Sequence, residues 1–300
     1  MDLARLAFLV GYCLRARLVG DKKPILCGIK VTHRCNMRCQ QCPYWRRSDE
    51  SLSYQDLVEL FPRLYRDGIR VIILEGGEPL LWRDGVHDLN DLVKEGKRYF
   101  PCVGVTTNGT LPIRIGAADI VWVSIDGLEG THDRLRGKSF GRIVENLSSS
   151  PHPNIYANIT INRLNVGEIP ELIKFLSGLV QGITIQFFFP YEEVGDLSIS
   201  WAQRRRVLDR LMELKREGYP LADSFAALEA LKDNRWQCEP WMMANVDPDG
   251  TYRQGCYLLD RTSGSNPCSV CGFAAHTEIS LAYHFNLGAI RTGRKVLAIF

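Results

Sequence analysis

Ile25-Leu26-Cys27-Gly28-Ile29-Lys30-Val31-Thr32-His33-Arg34-Cys35-Asn36-Met37-Arg38-Cys39-Gln40-Gln41-Cys42 runs a short, apolar, β-branched segment straight into three closely spaced cysteines. The segment Ile25–Thr32 reads as a strand. The same composition returns at Arg70–Leu74, Cys102–Thr106, Ile120–Ile125, Ile155–Ile161 and Ile183–Phe189. Between these runs lie stretches of helical spacing: Ser53–Tyr65, Val86–Tyr99, Phe140–Leu147 and Val166–Leu179, with Trp201–Arg216 following the sixth strand. Ser53 suits the N-cap of the first of them. Strands alternating with helices argue for βαβ units around a parallel sheet, and six units make a partial barrel.

The bulk composition sets the frame. Hydrophobic residues at 45% and charged residues at 24% are ordinary for a globular chain. A formal charge of +3 gives no reason to expect nucleic acid as a partner. No stretch reaches the roughly 18 apolar residues of a spanning helix. The apolar run Leu6–Leu14 lacks a small-residue cleavage site, so a secretory signal is not expected and a cytoplasmic location is. Ten cysteines are many for such a chain, and in that compartment they more often bind metal or do redox chemistry than form disulfides. Three fall within Cys35–Cys42 and four within Cys238–Cys271, which implies two sites. Cys13, Cys27 and Cys102 stand alone and read as small buried hydrophobes.

Most polar signatures sit where strands end. Glu75-Gly76-Gly77-Glu78-Pro79 follows strand two, Thr107-Asn108-Gly109 strand three and Asp126-Gly127 strand four. Ligands of parallel α/β folds bind at those ends, although each turn taken singly is also ordinary turn chemistry. The spacing C-x3-C-x2-C offers three thiolates to three irons of a cubane and leaves the fourth iron open. A structural zinc site closed by His33 is the alternative, and it gives no reason for the glycine-rich turn downstream.

C-x3-C-x2-C after a first strand, with Gly-Gly-Glu-Pro after a second, resembles the pattern of the radical S-adenosylmethionine (SAM) superfamily over about Pro24–Phe189. The resemblance implies an α/β fold, a partial (βα)6 TIM-like barrel. It also implies a 4Fe–4S cluster on Cys35, Cys39 and Cys42, with SAM chelating the free iron. Gly76, Gly77 and Glu78 match the turn that holds the amino group of SAM. Ser124 matches a contact to its carboxylate or ribose, within Val123-Ser124-Ile125-Asp126-Gly127. Asn108 lines the same pocket, and Asp126 and Arg136 complete the cofactor-binding set, Arg136 either pairing with the SAM carboxylate or forming a surface-loop ion pair. Asn158, Thr160 and Asn162 share one face of strand five as candidates for adenine or substrate contacts. One departure stands before the third cysteine, where the family commonly has an aromatic residue and this chain has Gln41, with Tyr44 and Trp45 following to pack over the cluster instead.

The second group, Cys238, Cys256, Cys268 and Cys271, resembles the twitch or SPASM auxiliary-cluster modules appended to such barrels. Val246–Tyr252 reads as a hairpin turning at Pro248-Asp249-Gly250. Four ligands suit a second, fully ligated 4Fe–4S cluster that moves electrons. Zinc on four cysteines stays open, because a Cys-x2-Cys pair with two distant cysteines also suits it. The expected organisation is an N-terminal amphipathic helix over residues 1–22, the barrel over 23–218, and a small cysteine-rich auxiliary module with its tail over 219–300. Leu3, Leu6, Val10 and Leu14 mark the apolar face of that helix, expected to dock on the barrel or to touch a membrane peripherally. Arg204, Arg205 and Arg206 read as a solvated face. The resemblance implies hydrogen abstraction from an unidentified small-molecule, peptide or lipid substrate, with ferredoxin or flavodoxin as electron donor. The rivals are a non-catalytic iron–sulfur carrier and a zinc-binding module.

Overall fold

The computed structural model describes residues 3–258 and 266–297, without the side chains of residues 3–7 and 9. Ten strands are present in that span: β1 (Leu26–Thr32), β2 (Val71–Gly76), β3 (Arg83–Asp84), β4 (His87–Asp88), β5 (Cys102–Thr107), β6 (Ile120–Ser124), β7 (Ile155–Ile161), β8 (Gly182–Phe187), β9 (Met243–Val246) and β10 (Tyr252–Gln254). The helices are α1 (Leu3–Leu14), α2 (Tyr54–Arg66), α3 (Leu89–Gly96), α4 (Glu129–Arg136), α5 (Phe140–Ser149), α6 (Ile169–Leu176), α7 (Trp201–Arg216), α8 (Phe225–Leu231), α9 (Ala274–Tyr283) and α10 (Leu287–Leu297).

Eight strands form one sheet in the order β10-β9-β1-β2-β5-β6-β7-β8. The six strands from β1 to β8 pair in parallel through their helical crossovers, as the alternation requires. β9 adds in parallel beside β1, and β10 turns back on it antiparallel through the Pro248-Asp249-Gly250 turn. The cysteine-rich segment therefore shares the barrel's sheet. The gap between β8 and β9–β10 is filled by chain from the same segment. Gly272 accepts from Phe187 N at 2.9 Å, Pro220 accepts from Ile183 N at 2.8 Å, and α9 packs between α8 and α10.

Strand alternation partitions the side chains. Cys27, Ile29, Val31, Ile72, Leu74, Val103 and Val105 face the helices and form the main core with Phe61, Leu92 and Ile173. Gly28, Lys30, Glu75, Ser124, Asn158, Thr160 and Gln186 face the barrel interior. Cys27 and Cys102 are fully buried among apolar neighbours, as small hydrophobes are.

Helix ends follow local chemistry. Ser53 and Asp56 make a reciprocal capping box at α2, and Ser200 with Gln203 does so at α7. The helix expected over Val86–Tyr99 is shorter, because Asp88 and Asp91 form a capping box at Leu89 while Val86 sits exposed beside the β3–β4 turn. α4 is a helix that periodicity missed, since its sequence EGTHDRLR is short and polar. α1 docks on the barrel by Phe8, Tyr12 and Cys13, with Tyr12 against the Trp241 ring at 5.9 Å. On the face expected to dock, Val10 and Leu14 are about half exposed, and the side chains of Leu3 and Leu6 lie outside the described residues.

Candidate functional site

The cysteine loop leaves β1 and is pinned at once. Gly77 N donates to Thr32 O at 2.7 Å and Glu78 N to Arg34 O at 2.8 Å, laying the turn after β2 flat against the loop. Glycine is required for this approach. Gly76 has φ +147°, and a Cβ there would strike Thr32 O; one on Gly77 would strike the carbonyls of His33 and Arg34. Further along, Gln40 N donates to Leu135 O on α4, and Trp45 Nε1 donates to Cys39 O at 3.0 Å. The loop is held from three sides.

Glu78 is wholly buried. Its carboxylate accepts from Thr107 Oγ1 and Asn108 N, both at 2.7 Å, and from Leu80 N at 3.0 Å, while burial raises its pKa. It buttresses the turn and ties it to the end of β5. Asn108 continues the tie, donating from Nδ2 to Asn36 Oδ1 at 2.8 Å and lying 3.9 Å from Cys35 Sγ.

Asp126, also wholly buried, is the second anchor. Its carboxylate accepts from Gln41 Nε2 and Arg136 Nε at 2.6 Å each and from Thr160 N at 2.7 Å. Burial works against the Arg136 charge more than any one neighbour favours it, and Asp126 together with Cys39 and Cys42 outweighs it. Gln41 thus takes a polar role where the family commonly has a ring, and its Oε1 is buried without a hydrogen-bond partner. His132, lowered to about 4 by burial, stands beside Asp126 N and Ser139 Oγ as part of the scaffold.

The thiols of Cys35, Cys39 and Cys42 act electrostatically on one another. Burial pushes Cys39 up to about 12, with Arg136 pulling the other way, and also raises Cys35 and Cys42. Thiols held together in this way ionise most readily on a cation, which is the donor set an iron–sulfur cluster needs. The His33 ring lies 6.1 Å from the Tyr44 ring, and the charged groups acting on it are Arg47, Asp247, Glu50 and Lys30. Among the described residues no three His, Cys, Asp or Glu groups stand close enough to share a single ion.

The thiols open onto a cavity of about 220 Å³, walled by Gly76, Gly77, Asn108, Ser124 and Arg136 and roofed by Tyr44 and Trp45. Gly76, Ser124, Arg136, Thr160 and Gln186 also line a second cavity of about 380 Å³, which continues down the barrel axis to α9 and α10. Asn158 and Thr160 line that cavity, whereas Asn162 turns back, donating from Nδ2 to Thr160 O. Lys30 is buried on the wall, 3.4 Å from Glu75 and 3.6 Å from Asp247, with the Tyr44 and Tyr257 rings at 5.7 and 5.4 Å. At the floor, burial raises Asp223 to about 6 and Glu278 to about 7.

Cys238, Cys256, Cys268 and Cys271 arrive from separate places: the end of the α8 connection, the end of β10, and a tight turn before α9. Burial raises Cys238 to about 11 and Cys256 to about 12; Cys238 also feels Cys271 and Cys268, and Cys256 feels those two and Cys238. Phe189, Tyr257 and Phe273 pack around Cys256 and Cys271, and the same three rings wall the first cavity.

A model of the radical SAM superfamily matches residues 29–176, and one of a domain of unknown function, DUF3463, matches 183–269. A probable GTP 3′,8-cyclase of Methanothermobacter marburgensis is 30% identical over 252 residues, which is 74% of this chain and 81% of that protein. The chain belongs to the radical SAM superfamily. Another radical SAM relative, the sporulation killing factor maturation protein SkfB of Bacillus subtilis, is 31% identical over 170 residues; the match takes in 50% of this chain but spans 39% of SkfB's length. SuiB of Streptococcus suis, solved with S-adenosylmethionine bound, shares the fold with a TM-score of 0.66 over 91% of this chain and 67% of its own, at 13% identity. Likeness of fold thus extends past the barrel into the cysteine-rich segment.

All the sequence-predicted residues of the radical SAM pocket, save Glu78 and Asp126, line the first cavity; those two lie behind its wall as anchors. Arg136 is on a helix in a buried ion pair, so the surface-loop alternative falls. Arg204 departs from the solvated face expected of it, being 5% exposed, while Arg205 and Arg206 are exposed. Sequence reasoning passed over Lys30 and Glu75. Their signal was a charged residue on the inward register of an otherwise apolar strand.

Proposed function

We propose that this chain cleaves SAM at a 4Fe–4S cluster held by Cys35, Cys39 and Cys42 and directs hydrogen abstraction at a substrate seated in the barrel cavity. The observation that carries it is the opening of three mutually interacting thiols, Cys39 buried and Cys35 and Cys42 half-buried, onto a cavity shared with Gly76, Gly77, Ser124 and Arg136. When bound, the group supplies one electron to the sulfonium of SAM, which yields methionine and a 5′-deoxyadenosyl radical. The residues do the rest. Gly76 and Gly77 let the turn lie against the cysteine loop at the cavity wall, and Arg136, fixed through Nε by Asp126, presents its remaining donors to a carboxylate. Phe189, Tyr257 and Phe273 narrow the access of water to the cavity.

Cys238, Cys256, Cys268 and Cys271 are proposed to hold an auxiliary 4Fe–4S cluster, supported by their mutual interaction and by their contact through Tyr257 and Phe273 with the reaction cavity. The substrate is an unidentified small molecule or peptide; SuiB, whose fold is shared, was solved with its precursor peptide SuiA. A ferredoxin or flavodoxin is the proposed donor. No described helix is long and apolar enough to cross a membrane. Peripheral contact draws its support from the exposed edge Val10, Leu14, Leu18 and Val19, and flotation with liposomes tests it.

The test is anaerobically reconstituted, dithionite-reduced protein incubated with SAM. Formation of 5′-deoxyadenosine is expected; none, from protein carrying a full complement of iron, turns the reading toward a non-catalytic carrier.

A further inference from the structure

Arg204 has no surface role. Along α7 it shares the inward stripe of Val207, Leu208 and Leu211, whereas Arg205 pairs with Asp233 at 2.6 Å in solvent. The buried guanidinium donates from Nη2 to Cys271 O and to Asn234 Oδ1, each at 2.8 Å, and lies 4.3 Å from the Phe187 ring centre. Among the described residues it makes no carboxylate ion pair, and its Nε has no hydrogen-bond partner. Asn234 is one of two described non-glycine residues with positive φ, at 52°, and from there its Nδ2 donates to Cys268 O at 3.3 Å. The two side chains thus hold the carbonyls of both cysteines in Cys268-Ser269-Val270-Cys271. A buried cation without a carboxylate partner is costly, and its retention calls for negative charge nearby. Burial opposes its charge most, and of the neighbours that favour it the Cys271 sulfur comes ahead of Asp233.

We infer that Arg204 is the positioning and charge-setting residue of the auxiliary site: with Asn234 it fixes the Cys268–Cys271 turn, and its positive charge holds a cluster there at a higher reduction potential than the bare cysteines would. This rests on the proposal that those four cysteines carry iron and sulfur. Holding the cation beside the thiolates favours the reduced, more negative state of the cluster, and the clamp slows loss of its ligands.

The full-length reconstituted protein is titrated with reductant and followed by electron paramagnetic resonance. In Arg204→Gln the auxiliary midpoint falls by about tenfold in the reduction equilibrium, which is 59 mV for a one-electron couple, while the SAM-binding cluster stays put. Arg204→Lys keeps the charge and the potential but loses the fork, so a chelator strips auxiliary iron several-fold faster. Asn234→Ala likewise keeps the potential and speeds stripping, and it serves if the Gln variant does not fold. An auxiliary midpoint unmoved in Arg204→Gln, or moved as far in Arg204→Lys, overturns the charge role. Unchanged stripping in Arg204→Lys and Asn234→Ala overturns the positioning role. A wild type with one cluster only removes the auxiliary reading itself, which is a different failure from two clusters with unmoved midpoints.

Discussion

The two cysteine sites are built in opposite ways. Cys35, Cys39 and Cys42 lie within one loop, and their placement is enforced by backbone bonds to the Gly76–Gly77 turn and by the buried Asp126 and Glu78 carboxylates. Cys238, Cys256, Cys268 and Cys271 come from separate segments, packed by aromatic rings and clamped by Arg204 and Asn234. The first offers three thiols and an open cavity; the second offers four, with Cys271 buried among aromatic rings and Cys268 exposed. A site that must admit a ligand is framed by polar anchors behind its wall, and one that only moves electrons needs no such frame. If the comparison is right, damage to one site should leave the other standing.

The largest effect is expected from Cys39→Ala. SAM cleavage falls to background, while iron drops from about eight to about four per chain, the remainder being the auxiliary cluster. Iron falling to zero would merge the two sites into one cooperative unit. Gly77→Ala comes next, because its Cβ has no room beside the carbonyls of His33 and Arg34. It should displace the loop and abolish the SAM-dependent cluster signal yet spare the auxiliary one; loss of both signals would show that the damage is global.

Asp126→Ala leaves Arg136 buried without its partner, a loss on the order of 3 kcal/mol. Thermal unfolding of the holoprotein should shift down by several degrees, and the affinity for SAM should fall, because Gln41, Arg136 and Thr160 lose their common acceptor. A variant with wild-type SAM affinity would dismiss Asp126 as an anchor. The smallest effect concerns the cavity floor. Burial raises Glu278 from 4.5 to about 7, so the folded chain holds a proton that the unfolded chain releases. That stabilisation is complete below about pH 4.5 and is lost as pH climbs toward 7. Glu278→Gln should therefore flatten the decline of melting temperature between pH 5 and 8, and parallel profiles would contradict the assignment.

The contrast between the sites also decides what the sequence could reveal. The six parallel strands were legible because each is a β-branched run ended by turn residues, and the first cysteine loop because its ligands are sequence neighbours. α4 was not, since its eight residues carry one inward leucine, Leu135, and little periodicity. Gln41 looked like a departure from the family and is a hydrogen-bond donor to Asp126, a pairing across 85 residues that no local pattern encodes. Arg204 was misread for a related reason. Three consecutive arginines look like one solvated patch, yet consecutive residues on a helix point about 100° apart, and one of the three turned inward. Among the described side chains of α1, Phe8, Tyr12 and Cys13 make the docking face, Tyr12 against Trp241, while Val10 and Leu14 stay half exposed.

The central claim is that an iron on Cys35, Cys39 and Cys42 keeps a position free for SAM while the auxiliary site has none. Electron paramagnetic resonance of the dithionite-reduced holoprotein, recorded with and without SAM, reads this directly. One of two cluster signals should shift on adding SAM, and that signal alone should be missing in Cys39→Ala. Two signals both indifferent to SAM, or a SAM-responsive signal that survives in Cys39→Ala, would contradict the account.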